Sequence, residues 1–431
     1  MPIVPSSSKS VIKTYLTLTL FNTLAASLIW GINTLFLLNA GLNVAEAFIA
    51  NAFFTAGMVI FEVPTGVIAD TRGRQFSYML GLITLAISTF AYLVMWMTHG
   101  PFIGWILASL ALGLGFTFFS GATDAWLVDA LKFTKYKGQL ETVFSKAQVV
   151  GGIAMLSGSI IGGLIAQFTN LGVPYIIRVG LLIVTFVIAA IYMKDVGFKA
   201  ERGENYRSEV KSLVHASVKY GLRNPRVRWV MLSAPFISGV SIYVFYALQP
   251  YLLQLYGDST AYWVAGLTAA IAAAAQIAGG LTAPLVGRLF KRRTTALFVG
   301  VFISAIALLA MGLVANFYAV LALIVIWGLI AAAITPVRKT YMNNLIPSKQ
   351  RATVLSFDSL FGSAGGVVSQ PLLGKSADIW GYGSSYLIAG VIQMGALPFL
   401  LLAGHRHDSK DIKIPSEQQV QPLIYPSNMV K

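Results

Sequence analysis

Few side chains in this sequence could do chemistry, and most of them are single acids set in apolar surroundings. Glu62 stands just before Pro64, Asp124 and Asp129 lie five positions apart, and Asp358 falls at a similar depth to Arg338. Five helical steps turn a residue by about 140°, so Asp124 and Asp129 cannot serve one site. A charge at membrane depth is expensive and is therefore a functional candidate. Glu62 or Asp124 could carry a proton if burial raises its pKa toward neutrality. Each could equally be structural, with Asp124 set against Lys146 and Asp358 against Arg338. Cysteine is absent, so disulfides, thiolate nucleophiles and Cys-ligated metals are excluded. His99, His215, His405 and His407 fall in expected loops or the tail, so neither a metal site nor an intramembrane enzyme is expected. No phosphate-binding glycine loop is present, which argues against direct ATP drive.

The composition names the solvent of the scaffold that must hold these charges. Of 431 residues, 56% are hydrophobic and 11% charged, with a mean hydropathy of +0.73. A soluble protein carries about 25% charged residues, so lipid must surround much of this chain. Apolar stretches of about 20 residues predict spans near 14–40, 44–69, 76–98, 102–130, 141–168 and 174–193. A second set follows near 229–255, 261–287, 294–315, 317–341, 352–374 and 382–403. The first stretch is too long for a signal-peptide core and reads as a retained span. The expected fold is an all-α membrane protein of twelve transmembrane helices in two pseudo-symmetric six-helix bundles. Its parts are an N-terminal bundle (1–193), a cytoplasmic linker (194–228), a C-terminal bundle (229–404) and a cytoplasmic tail (405–431).

With both termini in the cytoplasm, every Lys and Arg except Lys146, Arg178 and Lys375 falls at a cytoplasmic end, as the positive-inside rule requires. Lys146 lies just inside the fifth span, and only Arg178 and Lys375 come near the outer face. The formal charge of +15 is thus an orientation signal, and no nucleic-acid partner is expected. The chain reads as a multi-pass monomer in the bilayer of the cytoplasmic (inner) membrane. In the linker, Val210, Leu213, Val214 and Val218 recur at near-helical spacing, which predicts an amphipathic surface helix. Stripes of small residues allow close helix approach in lipid. They are Gly151, Ala154, Gly158 and Gly162 on the fifth span, Ala275, Gly279 and Ala283 on the eighth, and Ser359, Gly362, Gly366 and Ser369 on the eleventh. Such faces could be static glue or sliding surfaces, and three of them suggest halves that meet through small residues and rock.

After the second span comes Gly66-Val-Ile-Ala-Asp70-Thr-Arg-Gly73-Arg74. Gly66 permits a close helix contact and Gly73 a tight turn, while Asp70 suits the positive end of a neighbouring helix. The run resembles the G-x-x-x-D-x-x-G-R signature of the major facilitator superfamily. That resemblance extends over nearly the whole chain and implies alternating access between two bundles. It also implies a latch closing the cytoplasmic side, with Arg74 on Asp129 and Asp70 facing the eleventh span near Ser348–Ala352. The 8–9 loop, with Arg288, Lys291, Arg292 and Arg293, resembles a degenerate second copy in which Gly287 replaces the acid. Ala154-Met-Leu-Ser-Gly158-Ser159-Ile-Ile-Gly162-Gly163 is similar to the superfamily's antiporter motif, with Ser159 in place of proline. Drug/proton antiporter-like members are thus the nearest resemblance, although this stretch equally fits a plain glycine packing face. The arginine that proton-coupled drug exporters carry in the fourth span is missing.

Superfamily architecture puts the first, fourth, seventh and tenth spans around the central path. This gives Asn33, Phe116, Phe119, Asp124, Tyr243, Tyr246, Gln249 and Trp327 as lining candidates. Such aromatic walls suit amphipathic solutes. The expected function is secondary transport of a small amphipathic solute, with proton-coupled export leading. No cofactor is expected, the proton serving as coupling ion. Uptake or facilitated diffusion of a metabolite, transport of a lipid-like substrate, and a membrane receptor or scaffold are the alternatives.

Overall fold

The computed structural model describes residues 7–119, 121–198, 215, 218–225, 227–347 and 351–405. Eleven helical stretches are long and apolar enough to cross a membrane, and the last, Thr353–Gly404, turns back at Gly381 (φ 80°), which makes twelve spans. The first six are Ser8–Trp30 continued by Asn33–Asn39, Val44–Arg72, Arg74–Thr98, Phe102–Thr117 continued by Ala122–Phe133, Leu140–Phe168 and Val173–Tyr192. Arg228–Tyr256, Tyr262–Leu289, Arg293–Leu313 and Phe317–Leu345 follow, and Arg351–Met394 with Leu397–Gly404 forms the last two. With twelve spans, the first described helix starts and the last ends on one side, here termed the basic face.

Two spans expected to be continuous are broken. The first unwinds at Gly31–Ile32 and the fourth at Phe118–Gly121, where Gly121 takes φ 68°. The first span also starts earlier than hydropathy predicted, at Ser8, and the tenth runs on to Leu345. Polar helix ends extend past the hydrocarbon, where hydropathy no longer marks them. The predicted linker helix lies mostly outside the described residues, and only a single π-type turn, Val218–Leu222, is described there.

Of the two tasks open to the small-residue stripes, static glue and sliding surface, these contacts fit the first, and the stripes do not join the halves. Gly158 and Gly162 lie against Ser27 and Leu28 of the first span, and the Ser27 hydroxyl donates to the Ala154 carbonyl at 3.0 Å. Gly279 sits on Leu329 and Ala332 of the tenth span, while Gly362 and Gly366 sit on Ser238 and Ile242 of the seventh. All three stripes therefore bind spans within a bundle. The first–fifth and seventh–eleventh pairs are pseudo-symmetric equivalents. Close backbone approach gives dispersion contacts that lipid tails cannot match at such junctions, so the glycines make each bundle a rigid body. The halves meet elsewhere, along the second–eleventh and fifth–eighth pairs.

Candidate functional site

On the face opposite the basic one, the bundles are clasped. A continuous first span would bond the Thr34 N–H to the Trp30 carbonyl. Gln249 of the seventh span inserts its amide there instead: the Thr34 N–H donates to Gln249 Oε1 at 3.0 Å, and Gln249 Nε2 donates to the Trp30 carbonyl at 2.6 Å. The groups freed by the helix break are thus satisfied by the other bundle, as buried backbone requires. The Thr34 hydroxyl donates to the Tyr246 carbonyl at 2.9 Å, and Gln370 Nε2 donates to the Thr55 hydroxyl at 3.0 Å. Between the fifth and eighth spans, Gly163 meets Gly266. A Cβ on Gly266 would lie 2.6 Å from the Ser159 carbonyl, and one on Gly163 would lie 2.8 Å from the Gly266 Cα.

A cavity of ≈ 570 Å³ runs from Phe54, Tyr246 and Trp327 at mid-depth to Arg338, Lys339 and Leu400 near the basic face; Phe54, Thr55 and Met58 line it from the first bundle, and the rest of its wall comes from the second. Its wall is chiefly apolar, with Phe54, Phe245, Tyr246 and Trp327 as its aromatic members. Trp327 and Gln393 belong to this wall, and their Nε1 and Oε1 atoms are buried without hydrogen-bond partners.

Of the predicted lining residues, Tyr246 and Trp327 border this cavity. Phe116 packs edge-on against Phe54 with ring centroids 5.5 Å apart, one layer behind the wall. Four residues are placed elsewhere. Asn33 bonds to Asn51 and Tyr175 inside the first bundle, Phe119 packs on Tyr78, and the Tyr243 hydroxyl shares a hydrogen bond with Ser385 at 2.5 Å. Gln249 belongs to the clasp. Helical rotation sorts these positions, and it cannot be read from spans whose apolar residues cover every face.

The acids differ as sharply. Arg338 grips Asp358 through two hydrogen bonds, at 2.5 and 2.7 Å, and also donates to the Val230 carbonyl at 3.2 Å. Asp124 is exposed and accepts from the Tyr15 hydroxyl at 2.7 Å, not from Lys146. Glu62 is half-buried beside Pro64.

At the predicted latch, Gly73 turns the chain with φ 113°, as glycine permits. Arg74 pairs with Asp70, an i,i+4 partner, instead of the expected Asp129. A Cβ on Gly66 would meet nothing within 4 Å, so the close contact expected there is not made while this face is open. Residues 348–350, most of the expected Asp70 partner, lie outside the described residues.

Sequence reasoning missed Asp195. Its carboxylate accepts the Gln75 N–H at 2.9 Å, capping the third span from the end of the sixth, and a side chain at position 73 would strike it. Burial pushes this carboxyl above its ordinary range, and Asp129 adds to the rise. The backbone N–H groups of Gln75 and Arg74 and the Arg74 charge act in the opposite direction. Because the folded pKa exceeds the unfolded one, this group's contribution to stability falls as pH rises through that window and is flat above it. Asp195→Ala is expected to lower stability by about 0.5–2 kcal/mol, the usual worth of an N-cap, as measured by thermal unfolding at neutral pH. Asp195→Asn should flatten this part of the acid-range pH dependence.

Comparison with known proteins agrees with this architecture. The family model of the Major Facilitator Superfamily matches residues 15–292 and 267–425. Over 404 residues the chain is 20% identical to YxaM of Bacillus subtilis (strain 168), an uncharacterized MFS-type transporter, covering 90% of this chain and 94% of that one. Among solved structures, the nucleoside transporter NupG is similar with a TM-score of 0.74 at 10% identity, over 92% of this chain and 100% of that one. A bacterial homolog of the human lysosomal transporter Spinster, inward-facing and unoccupied, has a TM-score of 0.73 at 15% identity, over 96% and 100%. Two glycine-bound bundles with a cavity at their junction, together with these matches, show that the chain belongs to the major facilitator superfamily and is a multi-pass secondary transporter.

Proposed function

We propose that this transporter exports a small amphipathic solute from the cytoplasm in exchange for protons, with both termini cytoplasmic in an inner membrane. The observation that carries the reading is the cavity: a chiefly apolar wall with four aromatic rings, reaching toward the basic face, while the opposite face is clasped by Gln249. The concentration of Lys and Arg at the basic face supports its assignment to the cytoplasm. Rocking of the rigid bundles would open the Gln249 clasp and close the basic face. Gly66 and Asp70 would then come against the eleventh span, and Arg74 would be released toward Asp129.

Asp124 is the proposed proton carrier. It is exposed on the fourth span, with the Tyr15 hydroxyl of the first span holding one oxygen. The burial expected of a proton carrier is thus not found, and Asp124 would meet protons directly from water. Glu62 and the Arg338–Asp358 pair are assigned structural roles, the pair because each charge is already neutralised. In proteoliposomes, an imposed outward gradient of a transported aromatic dye should drive protons inward. Asp124→Asn is expected to cut that proton flux about tenfold or more, the scale of a lost proton-transfer group, while dye-for-dye exchange continues. Unchanged proton flux in Asp124→Asn would remove Asp124 from the mechanism, and dye movement without protons would favour facilitated diffusion.

A further inference from the structure

One charged side chain is not absorbed by this mechanism. Arg178, on the sixth span, is 1% exposed, and its Nε has no hydrogen-bond partner. Among the described residues it has no carboxylate partner either. Its guanidinium lies 5.8 Å from the centre of the Phe116 ring and within electrostatic reach of Tyr92, Tyr175 and Tyr246. The acids in this half of the molecule are engaged elsewhere: Glu46 caps the second span with Asn43, Asp258 bonds Thr260, and Asp378 holds Lys375. Arg338, on the tenth span, is by contrast gripped by Asp358 at both terminal nitrogens. A buried cation without a counter-charge is otherwise unfavourable in this environment.

The placement gives the missing partner a route. Phe116 packs on Phe54, and Phe54 and Tyr246 line the cavity, so Arg178 stands one aromatic layer beyond its inner end. Tyr246 comes from the other bundle and its carbonyl is part of the clasp. Rocking of the bundles therefore moves Tyr246 relative to Arg178, and a solute in the cavity reaches the guanidinium when the Phe116–Tyr246 layer parts. We propose that Arg178 anchors a carboxylate on the transported solute, its aromatic or aliphatic body lying along the Phe54–Tyr246–Trp327 wall. A monoanion fits because one guanidinium offers one charge and two parallel donors, and a phosphate's second charge would go unmatched. The inference rests on the transport reading and specifies its substrate class as amphipathic monocarboxylates.

Purified full-length protein is tested by thermal unfolding with 3-phenylpropanoate, indole-3-acetate and octanoate, each beside its primary amide. At least one acid should raise the melting temperature where its amide does not. Arg178→Lys should shrink that advantage, and Arg178→Gln should abolish it. An advantage kept by Arg178→Gln, or no acid exceeding its amide in the parent, overturns the proposal. Should Arg178→Gln fail to fold, potential-driven uptake by parent proteoliposomes decides. Influx of the stabilising acid should quicken more steeply with an inside-positive potential than influx of a neutral dye, because the acid carries one further negative charge inward for the same protons exchanged. An acid no steeper than the dye overturns the proposal. Dye transport without acid transport defeats only the anion site, whereas movement of neither defeats the transport reading itself.

Discussion

Gly163→Val is expected to reduce transport about tenfold or more and to hold the protein open on the face opposite the basic one. A side chain at 163 would press on the Gly266 Cα and the Tyr262 carbonyl, each 2.8 Å from the new Cβ. Both are backbone atoms, so no flexible group can yield. Overpacking of this kind costs about 1–3 kcal/mol. Here the cost falls on the state in which the fifth and eighth spans touch, and a shift of that size changes a two-state population by about 5- to 150-fold. The absence of cysteine makes the readout clean. Leu253, 2% exposed near the far end of the seventh span, is replaced by cysteine and treated with a membrane-impermeant maleimide. Labelling should be slow alone and fast in combination with Gly163→Val. Gly180→Val, where a Cβ meets nothing within 4 Å, should alter neither labelling nor transport. Equal labelling in the presence and absence of Gly163→Val would show that this seam does not hold the state.

That seam illustrates what the residues alone disclosed. Gly158, Gly162 and Gly163 were visible as a small-residue run, and the close approach they allow follows from glycine itself. Which neighbour each one meets did not follow: one step of helix separates Gly162, facing Leu28 in its own bundle, from Gly163, facing the other bundle. Span number and charge bias were legible because hydropathy and Lys/Arg placement are properties of local composition. The break at Gly31–Ile32 was not, since its freed groups are satisfied by Gln249, more than two hundred residues away. Arg178 was assigned to the outer edge for the same reason. Its place in the apolar run 174–193 was the available signal, but burial depends on what packs over it. Asp195, an acid directly after the sixth span, offered a comparable signal.

Asp358→Asn is expected to destabilise the protein by about 3–5 kcal/mol, the usual effect of leaving one member of a buried ion pair uncompensated. Asp358 is 5% exposed, and its two hydrogen bonds hold the Arg338 guanidinium, which also reaches the Val230 carbonyl. The pair therefore ties the tenth, eleventh and seventh spans together beside the cavity mouth. Removing both charges is a different experiment from removing one. The double variant Arg338→Met with Asp358→Leu carries no buried charge, and comparable apolar replacements are often neutral or stabilising by about 1–4 kcal/mol. Thermal unfolding should thus place the double variant near or above the parent and well above Asp358→Asn. Proton-coupled dye transport by the double variant separates structure from coupling. A stable protein that still couples assigns the pair to packing, whereas a stable protein that moves dye without protons makes Asp358 a carrier and displaces Asp124. The contrast with Arg178 then acquires a mechanical meaning. A cation neutralised within its own bundle travels as part of a rigid body through the cycle, while one left without a carboxylate at the bundle interface depends on what the cavity delivers to it.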